Sequence, residues 1–182
     1  MKRIVADPAK CLACRTCELA CALAHAGTND LVEAVYGRGA KPRIYIESAG
    51  GLAVPLQCRH CEDAPCVRVC PSGAISRADE ASPVLVAHQK CIGCGFCAEA
   101  CPFGVIRLAR CAEPGLSDGR TAVIKCDLCV TRLAEGLLPA CVSSCPVGAL
   151  ALAEAEQNAK KARARAAADW VAAGSGKLRS KF

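Results

Sequence analysis

The most informative segment of this 182-residue chain is Cys91-Ile-Gly-Cys94-Gly-Phe-Cys97-Ala-Glu-Ala-Cys101-Pro102. Its first three cysteines are separated by two residues each, and the fourth follows after three more and is itself followed by proline. A loop with this spacing can point three sulfur atoms at one centre, and the small residues Gly93 and Gly95 let the backbone approach that centre closely. The segment therefore predicts a set of thiolate ligands around a compact inorganic group.

The same plan recurs three more times along the chain, with variations in the gaps. The second group has four residues in its middle gap, and the fourth has an 11-residue insertion at positions 130–140. The four groups, called quartets below, use sixteen of the seventeen cysteines and leave Cys111 over. Quartet one is Cys11, Cys14, Cys17 and Cys21; quartet two is Cys58, Cys61, Cys66 and Cys70; quartet three is Cys91, Cys94, Cys97 and Cys101; quartet four is Cys126, Cys129, Cys141 and Cys145.

Three quartets end in an internal repeat, CPSGAI at 70–75, CPFGVI at 101–106 and CPVGAL at 145–150. Proline ends the helical turn that carries the last cysteine, and glycine permits the tight turn that follows. Each repeat therefore predicts a short helix, a turn and then a strand. The other elements predicted from the apolar pattern and the turn residues are a β-hairpin at 42–47 and 52–56, strands at 84–87 and 121–125, and a surface loop at 112–119.

Iron–sulfur clusters explain the quartets better than zinc or disulfides do. Iron favours thiolate sulfur, and quartet three matches the C-x₂-C-x₂-C-x₃-C-P run of bacterial ferredoxins, whose last cysteine binds the neighbouring cluster of a pair. Structural zinc sites also use four cysteines, but zinc ribbons use two separated pairs. Disulfides are disfavoured because the cysteine count is odd and most cysteines are only two or three residues apart. The sequence therefore predicts four 4Fe–4S clusters.

The composition suits a chain that needs its cofactors to fold. Leu, Ile, Val and Phe supply only 40 of the 182 residues, so apolar burial is limited and metal binding has to contribute folding free energy. The formal net charge of +6 counts every cysteine as neutral. Each oxidised cluster with its four thiolates contributes about −2, which makes the total slightly negative and removes the main support for a nucleic-acid partner.

The sequence predicts a cytoplasmic electron carrier rather than an enzyme. Residues 1–8 lack the apolar segment of a signal peptide, and no apolar run approaches the ~18 residues that a membrane helix needs. No nucleotide motif of the GxGxxG or Walker type is present in the sequence. All four quartets are complete, whereas a catalytic cluster needs an iron with a free position, so outer-sphere electron transfer is the expected chemistry.

The quartets resemble those of a known family. The segments are CRHCEDAPCVRVCP at 58–71, CIGCGFCAEACPFG at 91–104 and KCDLCVTRLAEGLLPACVSSCPVGAL at 125–150. They are similar to the four-cluster ferredoxin-type electron-transfer subunits of molybdenum and tungsten oxidoreductases, which include the beta subunits of dimethyl sulfoxide reductase and formate dehydrogenase. They also resemble the ferredoxin subunits of carbon monoxide dehydrogenase–hydrogenase systems and of bacterial tungsten aldehyde oxidoreductase. Quartet one departs from the pattern, with Ala22 where proline is usual.

The resemblance implies an α+β fold of two fused ferredoxin-like units with short β-hairpins, plus a C-terminal helical arm. Residues 1–152 would form the cluster-binding domain. Its outer quartets, in residues 1–30 and 120–152, would be paired, and its inner quartets, in residues 55–110, would be paired. Residues 153–182 would form a helix and tail for docking or oligomerisation.

The resemblance also implies crossed ligation, in which each cluster takes three cysteines from one quartet and one from its partner. Spacing alone supports only the inner pairing, where 20 residues separate Cys70 from Cys91; the outer pairing comes from the resemblance. The implied ligand sets are Cys11, Cys14, Cys17 and Cys145 (set 1); Cys58, Cys61, Cys66 and Cys101 (set 2); Cys91, Cys94, Cys97 and Cys70 (set 3); and Cys126, Cys129, Cys141 and Cys21 (set 4).

Single electrons would then pass between a catalytic oxidoreductase subunit and a second redox subunit or ferredoxin. The catalytic partner implied is a tungsten or molybdenum aldehyde oxidoreductase, a formate dehydrogenase or a carbon monoxide dehydrogenase, and further copies of the chain stay open as partners. One alternative is a ferredoxin that links carbon monoxide or formate dehydrogenase to a hydrogenase. Another is a free diffusible ferredoxin, which would need no docking helix. An iron–sulfur regulator would need a DNA-binding module, which no segment supplies.

The C-terminal segment 153–173 is alanine-rich and predicts a helix that ends at Gly174. Ala162, Ala166 and Trp170 fall near one face of this helix. Because tryptophan is a frequent interface anchor, these three residues are the candidates for docking on a partner. The alternative is that the helix packs back onto its own domain.

The remaining residues near the quartets carry weaker expectations. Cys111 is expected to be an inert thiol, with an interface or redox role as the alternative. His60 is expected to face solvent or to form a local hydrogen bond, and the alternative is that it makes the nearby cluster potential pH-dependent. His25 and His88 are expected to have no special role. The cations next to predicted ligands, which either offset cluster charge or occupy ordinary surface positions, are Arg15, Arg59, Lys90 and Lys125.

Overall fold

The computed structural model describes residues 1–110 and 121–178. The predicted loop at 112–119 and the spare Cys111 lie outside the described residues. Within them, short strands and short helices alternate along the chain, which gives the mixed helix and strand content of an α+β protein.

The described strands pair two by two. They are β1 Lys2–Ala6, β2 Ile44–Ala49, β3 Leu52–Gln57, β4 Ile75–Ser76, β5 Leu85–Val86, β6 Arg107–Arg110, β7 Thr121–Ile124 and β8 Leu150–Glu154. All four pairs, β1–β8, β2–β3, β4–β5 and β6–β7, are antiparallel. The β1–β8 pair sets Lys2 opposite Glu154 and Ala6 opposite Leu150, so it joins residues from opposite ends of the predicted cluster-binding domain.

Four of the described helices carry a quartet cysteine as their second residue. The α-helices are α1 Thr16–Ala24, α2 Pro65–Arg68, α3 Phe96–Glu99, α4 Val130–Ala134, α5 Ala140–Ser143 and α6 Ala155–Leu178, and shorter 3₁₀ and π turns lie at Pro8–Lys10, Glu33–Gly37 and His88–Lys90. The cysteines at the second position are Cys17 in α1, Cys66 in α2, Cys97 in α3 and Cys141 in α5. Helix α4 occupies the 11-residue insertion of quartet four, so the insertion lengthens one loop without disturbing the cysteine at the start of α5.

The apolar residues form two separate clusters, and cysteines belong to both. The first, called the inner core, contains Ile75, Val84 and Ile106 with the last three residues of β7, together with Cys66, Cys91 and Cys97. The second, called the outer core, contains Ile4, Ile44, Ile46, Leu128 and Leu150, together with Cys17, Cys21, Cys126 and Cys141. The chain passes from the inner to the outer core between Ile124 and Cys126.

The predicted strands and hairpin are confirmed. Strands β2 and β3 form the hairpin, and its turn residues Gly50 and Gly51 have φ values of 57° and 78°, the left-handed conformation that a tight two-residue hairpin turn requires. The glycines of the three repeats, Gly73, Gly104 and Gly148, all have φ between 61° and 62°. A strand follows each of these turns, as the repeat predicts.

The C-terminal helix differs from the prediction at its end. Helix α6 continues through Gly174 to Leu178, so the predicted stop is wrong. A glycine inside a helix costs only about 1 kcal/mol relative to alanine, and two glycines in a long helix do not end it. The side chains of residues 156–173 are all exposed, and Gln157, Asn158 and Lys161 line an open groove together with residues of β1 and β8. Within residues 1–110 and 121–178, no helix is long and apolar enough to cross a membrane.

Candidate iron–sulfur centres

Each quartet begins with the same unusual backbone turn. The residue before the second cysteine has a left-handed conformation in all four quartets, with φ of 56° at Ala13, 47° at His60, 69° at Gly93 and 62° at Leu128. Residues other than glycine lose roughly 1–2 kcal/mol in this conformation. Strain of this kind is retained at ligand-binding loops, where the backbone must adopt one shape.

The turn aims backbone N–H groups at cysteine sulfur. The amide of His60 donates to Cys58 Sγ at 3.4 Å, and the amide of Leu128 donates to Cys126 Sγ at 3.4 Å. A third amide, from Ala149 in the glycine turn after quartet four, donates to Cys145 Sγ at 3.2 Å. N–H groups directed at sulfur stabilise a thiolate over a thiol, which is the state that binds metal.

The structure brings Cys101 of quartet three to the first three cysteines of quartet two. A cavity is lined by Cys58, Cys61, Cys66 and Cys101. Burial raises the pKa of the Cys66 thiol, Lys125 opposes this effect, and Cys58, Cys101 and Cys61 add to it. These four thiols are the members of set 2.

The reciprocal exchange occurs at quartet three. Burial raises the pKa of the Cys97 thiol to about 11, and its thiol neighbours Cys94, Cys70 and Cys91 contribute to the rise. Cys70 belongs to quartet two, so the structure also brings together the members of set 3.

Quartets one and four meet in the outer core. Burial raises the pKa of the Cys141 thiol, and Cys21, Cys129 and Cys17 raise it further. Burial likewise raises the pKa of Cys126, with Cys21 among its neighbours. The structure therefore places Cys21 of quartet one beside Cys141 and Cys126 of quartet four, and Cys129 is a further neighbour of Cys141.

The position of Cys145 follows from the β1–β8 pair. The amide of Asp7 donates to the carbonyl of Ala149 at 2.8 Å, which continues the strand pairing toward quartet one. The turn that follows Cys145 thus lies beside the residues that precede Cys11. Cys11 and Cys145 both pack against the outer core, and helices α1 and α5 are in contact.

A partly buried ion network links the end of α1 to quartet four. Asp127 accepts from Arg43 Nη1 at 3.0 Å and is 3.1 Å from His25 Nε2. His25 Nδ1 lies 2.7 Å from the carbonyl oxygen of Cys21, and the amide of Arg43 donates to Cys21 Sγ at 3.3 Å. The expectation that His25 has no special role is wrong.

The contacts within this network shift the pKa values of His25 and Asp127 so that both groups favour their charged forms. Burial alone would lower the pKa of His25, but hydrogen bonds to Asp127, Cys129 and Cys21 raise it to about 12. Burial opposes ionisation of Asp127, but the hydrogen bond and the charge of His25, with Arg43, hold the pKa of that carboxyl well below its usual range. Sequence reasoning missed the network because His25 and Asp127 are 102 residues apart.

His60 and Lys125 are both buried. The expectation that either side chain lies at the surface is therefore wrong. His60 is 1% exposed, and its Nδ1 accepts a hydrogen bond from the amide of Val84 at 3.1 Å. Burial lowers the pKa of His60 to about 3, and the positive charge of Lys125 adds to the effect. Both effects favour the neutral imidazole. Lys125 is 2% exposed.

The other side chains near the quartets that carry a sequence-based expectation lie nearer the surface. The guanidinium of Arg59 lies 5.8 Å from the ring centre of Phe103, and Arg15 and Lys90 are exposed. His88 Nε2 lies 3.1 Å from the carbonyl oxygen of Val123, a structural contact.

The residues present fit iron–sulfur clusters. Soft thiolates are the ligands that these clusters take, and N–H groups directed at the sulfurs are a known way to tune them. Thiols of different quartets meet, whereas a zinc ribbon would keep its two pairs local. The geometry therefore favours cluster binding over zinc.

Comparison with known proteins agrees with this chemistry. A family model for a 4Fe–4S dicluster domain matches residues 50–155, and one for a 4Fe–4S binding domain matches residues 8–29. The chain is 43% identical over 170 residues to an iron–sulfur protein of Rhodospirillum rubrum, which covers 89% of this chain and 88% of the relative. It is 40% identical over 154 residues to the electron transport protein HydN of Escherichia coli K12, covering 81% and 85%.

A further relative is hydrogenase-4 component A of Escherichia coli K12. It is 35% identical over 202 residues, which cover 94% of this chain and 92% of the relative. These matches extend over nearly the full length of both partners rather than over a single motif. The four repeated cysteine loops and the mixed helix and strand body thus have a common origin with those proteins, and the chain belongs to the ferredoxin-type 4Fe–4S dicluster family.

Proposed function

We propose that this chain is a non-catalytic electron-transfer subunit that holds four 4Fe–4S clusters. The observation that carries the proposal is the meeting of thiols from different quartets around Cys66, Cys97 and Cys141. When bound, each cluster supplies reversible uptake of a single electron. The similarity to HydN, an electron transport protein, supports the same function.

The ligand sets we propose are sets 1 to 4 as defined above, within two fused ferredoxin-like halves in residues 1–152. In sets 2, 3 and 4, the exchange of one cysteine between paired quartets is supported by the thiols that are neighbours in the structure. Set 1 has support from the β1–β8 pairing, which brings Cys145 toward Cys11. The inner core would correspond to one half and the outer core to the other.

Neighbouring cysteines also suggest the order of the four sets in space. Cys141 of set 4 is a neighbour of Cys17 of set 1, and Cys126 of set 4 is a neighbour of Cys58 of set 2. Sets 2 and 3 exchange a cysteine, so the order is 1, 4, 2, 3. This order would let electrons enter near one surface and leave near another.

The two exposed cysteines of the described residues belong to the two terminal sets. Cys14 of set 1 and Cys94 of set 3 are exposed. Exposed apolar side chains lie next to them in sequence, Leu12 in the first loop and Ile92 and Phe96 in the third. An exposed ligand within an apolar rim suits close contact with a redox partner, because electron transfer requires short distances and little intervening water.

The specific partners are part of the proposal. The motif resemblance favours the catalytic subunit of a tungsten or molybdenum oxidoreductase, such as an aldehyde oxidoreductase or formate dehydrogenase, or a carbon monoxide dehydrogenase. The name of the relative hydrogenase-4 component A favours the second candidate, a ferredoxin that delivers electrons to a hydrogenase. Helix α6, with Ala162, Ala166 and Trp170, is the proposed docking element.

Metal content and ligand substitution test the proposal. The full chain, purified without oxygen, should be brown and contain about sixteen irons and sixteen acid-labile sulfides, four for each of four clusters. Cys21→Ser should disturb the cluster of quartet four, and Cys145→Ser that of quartet one, as seen by electron paramagnetic resonance. Zinc in place of iron would contradict the proposal. Loss of the cluster within the substituted cysteine's own quartet would contradict the crossed ligand sets.

A further inference from the structure

Lys125 is a buried cation at the point where the chain passes from the inner to the outer core. Strand β7 ends at Ile124 in the inner core, and Cys126 belongs to the outer core. The ammonium donates to two backbone carbonyls, that of Val84 at 2.5 Å and that of Cys126 at 2.7 Å. Lys125 is therefore held rigidly between the two cores.

Each of these two carbonyls belongs to a residue that lies beside predicted cluster ligands or is itself one. Val84 lines the cavity of set 2 together with Cys58, Cys61, Cys66 and Cys101. The charge of Lys125 also acts on Cys66 itself, whose thiolate it favours. On the other side, Cys126 is a ligand of set 4. The ammonium thus lies between set 2 and set 4, the two middle sets of the proposed order.

A buried ammonium needs a counter-charge, because a charge without a partner is costly to remove from water. Within residues 1–110 and 121–178, no carboxylate lies within ion-pair distance of Lys125. The nearest acidic residue along the chain, Asp127, is occupied by Arg43 and His25 at 3.0 Å and 3.1 Å. The negative charge of the two cluster sites, about −2 each, is what remains to balance the ammonium.

The other quartets provide internal comparisons. Lys10 and Lys90 also stand directly before the first cysteine of their quartets, but both are exposed. Gln57 stands before Cys58 and is 1% exposed, yet it carries no charge. Among the residues directly before the first cysteine of a quartet, a buried cation is therefore found at quartet four. The charges of Lys10 and Lys90 are screened by water.

We propose that the ammonium of Lys125 raises the reduction potentials of the clusters in sets 2 and 4. This inference rests on the proposed four clusters. A fixed positive charge in a medium of low dielectric stabilises the extra electron of a reduced cluster. Lys125 would thereby keep the two middle positions accessible to electrons that arrive at the exposed ends.

The test compares three variants of the full chain, purified without oxygen. Lys125→Met removes the charge but keeps much of the side-chain length, Lys125→Arg keeps the charge, and Lys90→Met removes the matched exposed charge. Iron and sulfide are counted first, and a redox titration followed by electron paramagnetic resonance then gives the potentials. In Lys125→Met, we expect two of the four potentials to fall by at least tenfold in the reduction equilibrium constant, which is about 59 mV for one electron. Lys125→Arg and Lys90→Met should stay near the parent.

The outcomes separate this inference from the proposed function. Unchanged potentials in a Lys125→Met protein with full iron content would overturn the role of Lys125 and leave the four clusters standing. A parent protein with fewer than four clusters would contradict the proposed function instead. If Lys125→Met does not retain its clusters, Lys125→Gln, which can still donate to a carbonyl, gives the same comparison. A purely structural lysine would lower thermal stability without moving the potentials.

Discussion

The left-handed residue of each quartet loop shows how one position can be filled in different ways. Ala13, His60 and Leu128 carry side chains there, whereas quartet three has Gly93. A Cβ atom added to Gly93 would lie 2.7 Å from the carbonyl oxygen of Thr121. Glycine is therefore required in quartet three by a neighbouring strand as well as by the backbone conformation.

Gly93→Ala should destabilise the protein more than a matched glycine substitution does. Gly73 has a similar φ of 62°, but nothing lies within 4 Å of its added Cβ. Gly73→Ala therefore destabilises the protein only through the left-handed backbone conformation, by roughly 1–2 kcal/mol. Gly93→Ala adds the displacement of β7, which brings the cost to about 2–5 kcal/mol. Loss of the cluster absorbance on heating measures the difference. Equal midpoints for the two variants would contradict the steric role of Thr121.

At this scale the sequence predicts ligands well and their surroundings poorly. Cysteine spacing is a local property, and it identified the sixteen candidate ligands. The contact between His25 and Asp127 joins distant segments, so no local pattern marks it. Lys125 shares its local pattern with Lys10 and Lys90, and only the packing of two cores around it makes it a buried charge.

Among the elements, the ion network of Arg43, Asp127 and His25 ties α1 and the approach to β2 to quartet four. Arg43 and Asp127 have side-chain exposures of 5% and 27%, and His25 has 13%. These groups are shielded enough for their pairing to matter energetically, and they hold Cys21 in place through its carbonyl and its sulfur.

Asp127→Asn should therefore destabilise the outer core. Removing one partner of a shielded ion pair leaves the other charges uncompensated and typically costs about 3–5 kcal/mol. Asp63→Asn is the matched control, because Asp63 also lies in a quartet loop and pairs with Arg68 at 3.0 Å, but both side chains are largely exposed; exposed pairs contribute little. Thermal unfolding monitored by circular dichroism distinguishes the two. Similar midpoints for both variants would show that the network contributes little.

Elements with strong turn signals were predictable, and those whose ends depend on their surroundings were not. The β2–β3 hairpin follows from two consecutive glycines between apolar runs. The end of α6 was misplaced because the prediction took Gly174 as a stop, although a glycine can be accommodated within a helix. The pairing of β1 with β8 has no sequence signature, since it depends on how the two cores assemble.

Considered as a whole, the molecule carries its four quartets within residues 11–145, and helix α6 follows them with exposed side chains at residues 156–173. Trp170 and Val171 of α6 are 84% and 69% exposed. A large tryptophan that is exposed on a helix suits an anchor for another subunit.

Ending the chain at Glu154, the last residue of β8, should leave metal content unchanged and abolish assembly with the partner. The point variant Trp170→Ala should weaken assembly, whereas Tyr36→Ala, which removes an aromatic side chain of similar exposure from the body, should not. The measurement is mass-spectrometric identification of oxidoreductase subunits that co-purify with each tagged protein from its own organism. Undiminished recovery of the same subunits with the shortened chain would refute docking through α6.

The pairing of β1 with β8 also bears on how the protein is made. Lys2 leaves the ribosome long before Glu154, so β1 has no partner until almost the whole body has been synthesised. The same delay applies to Cys11, Cys14 and Cys17 if Cys145 completes their site. On this view these three cysteines lack their fourth partner until residue 145 has been synthesised, so their cluster would form on a nearly finished chain rather than on a short nascent one.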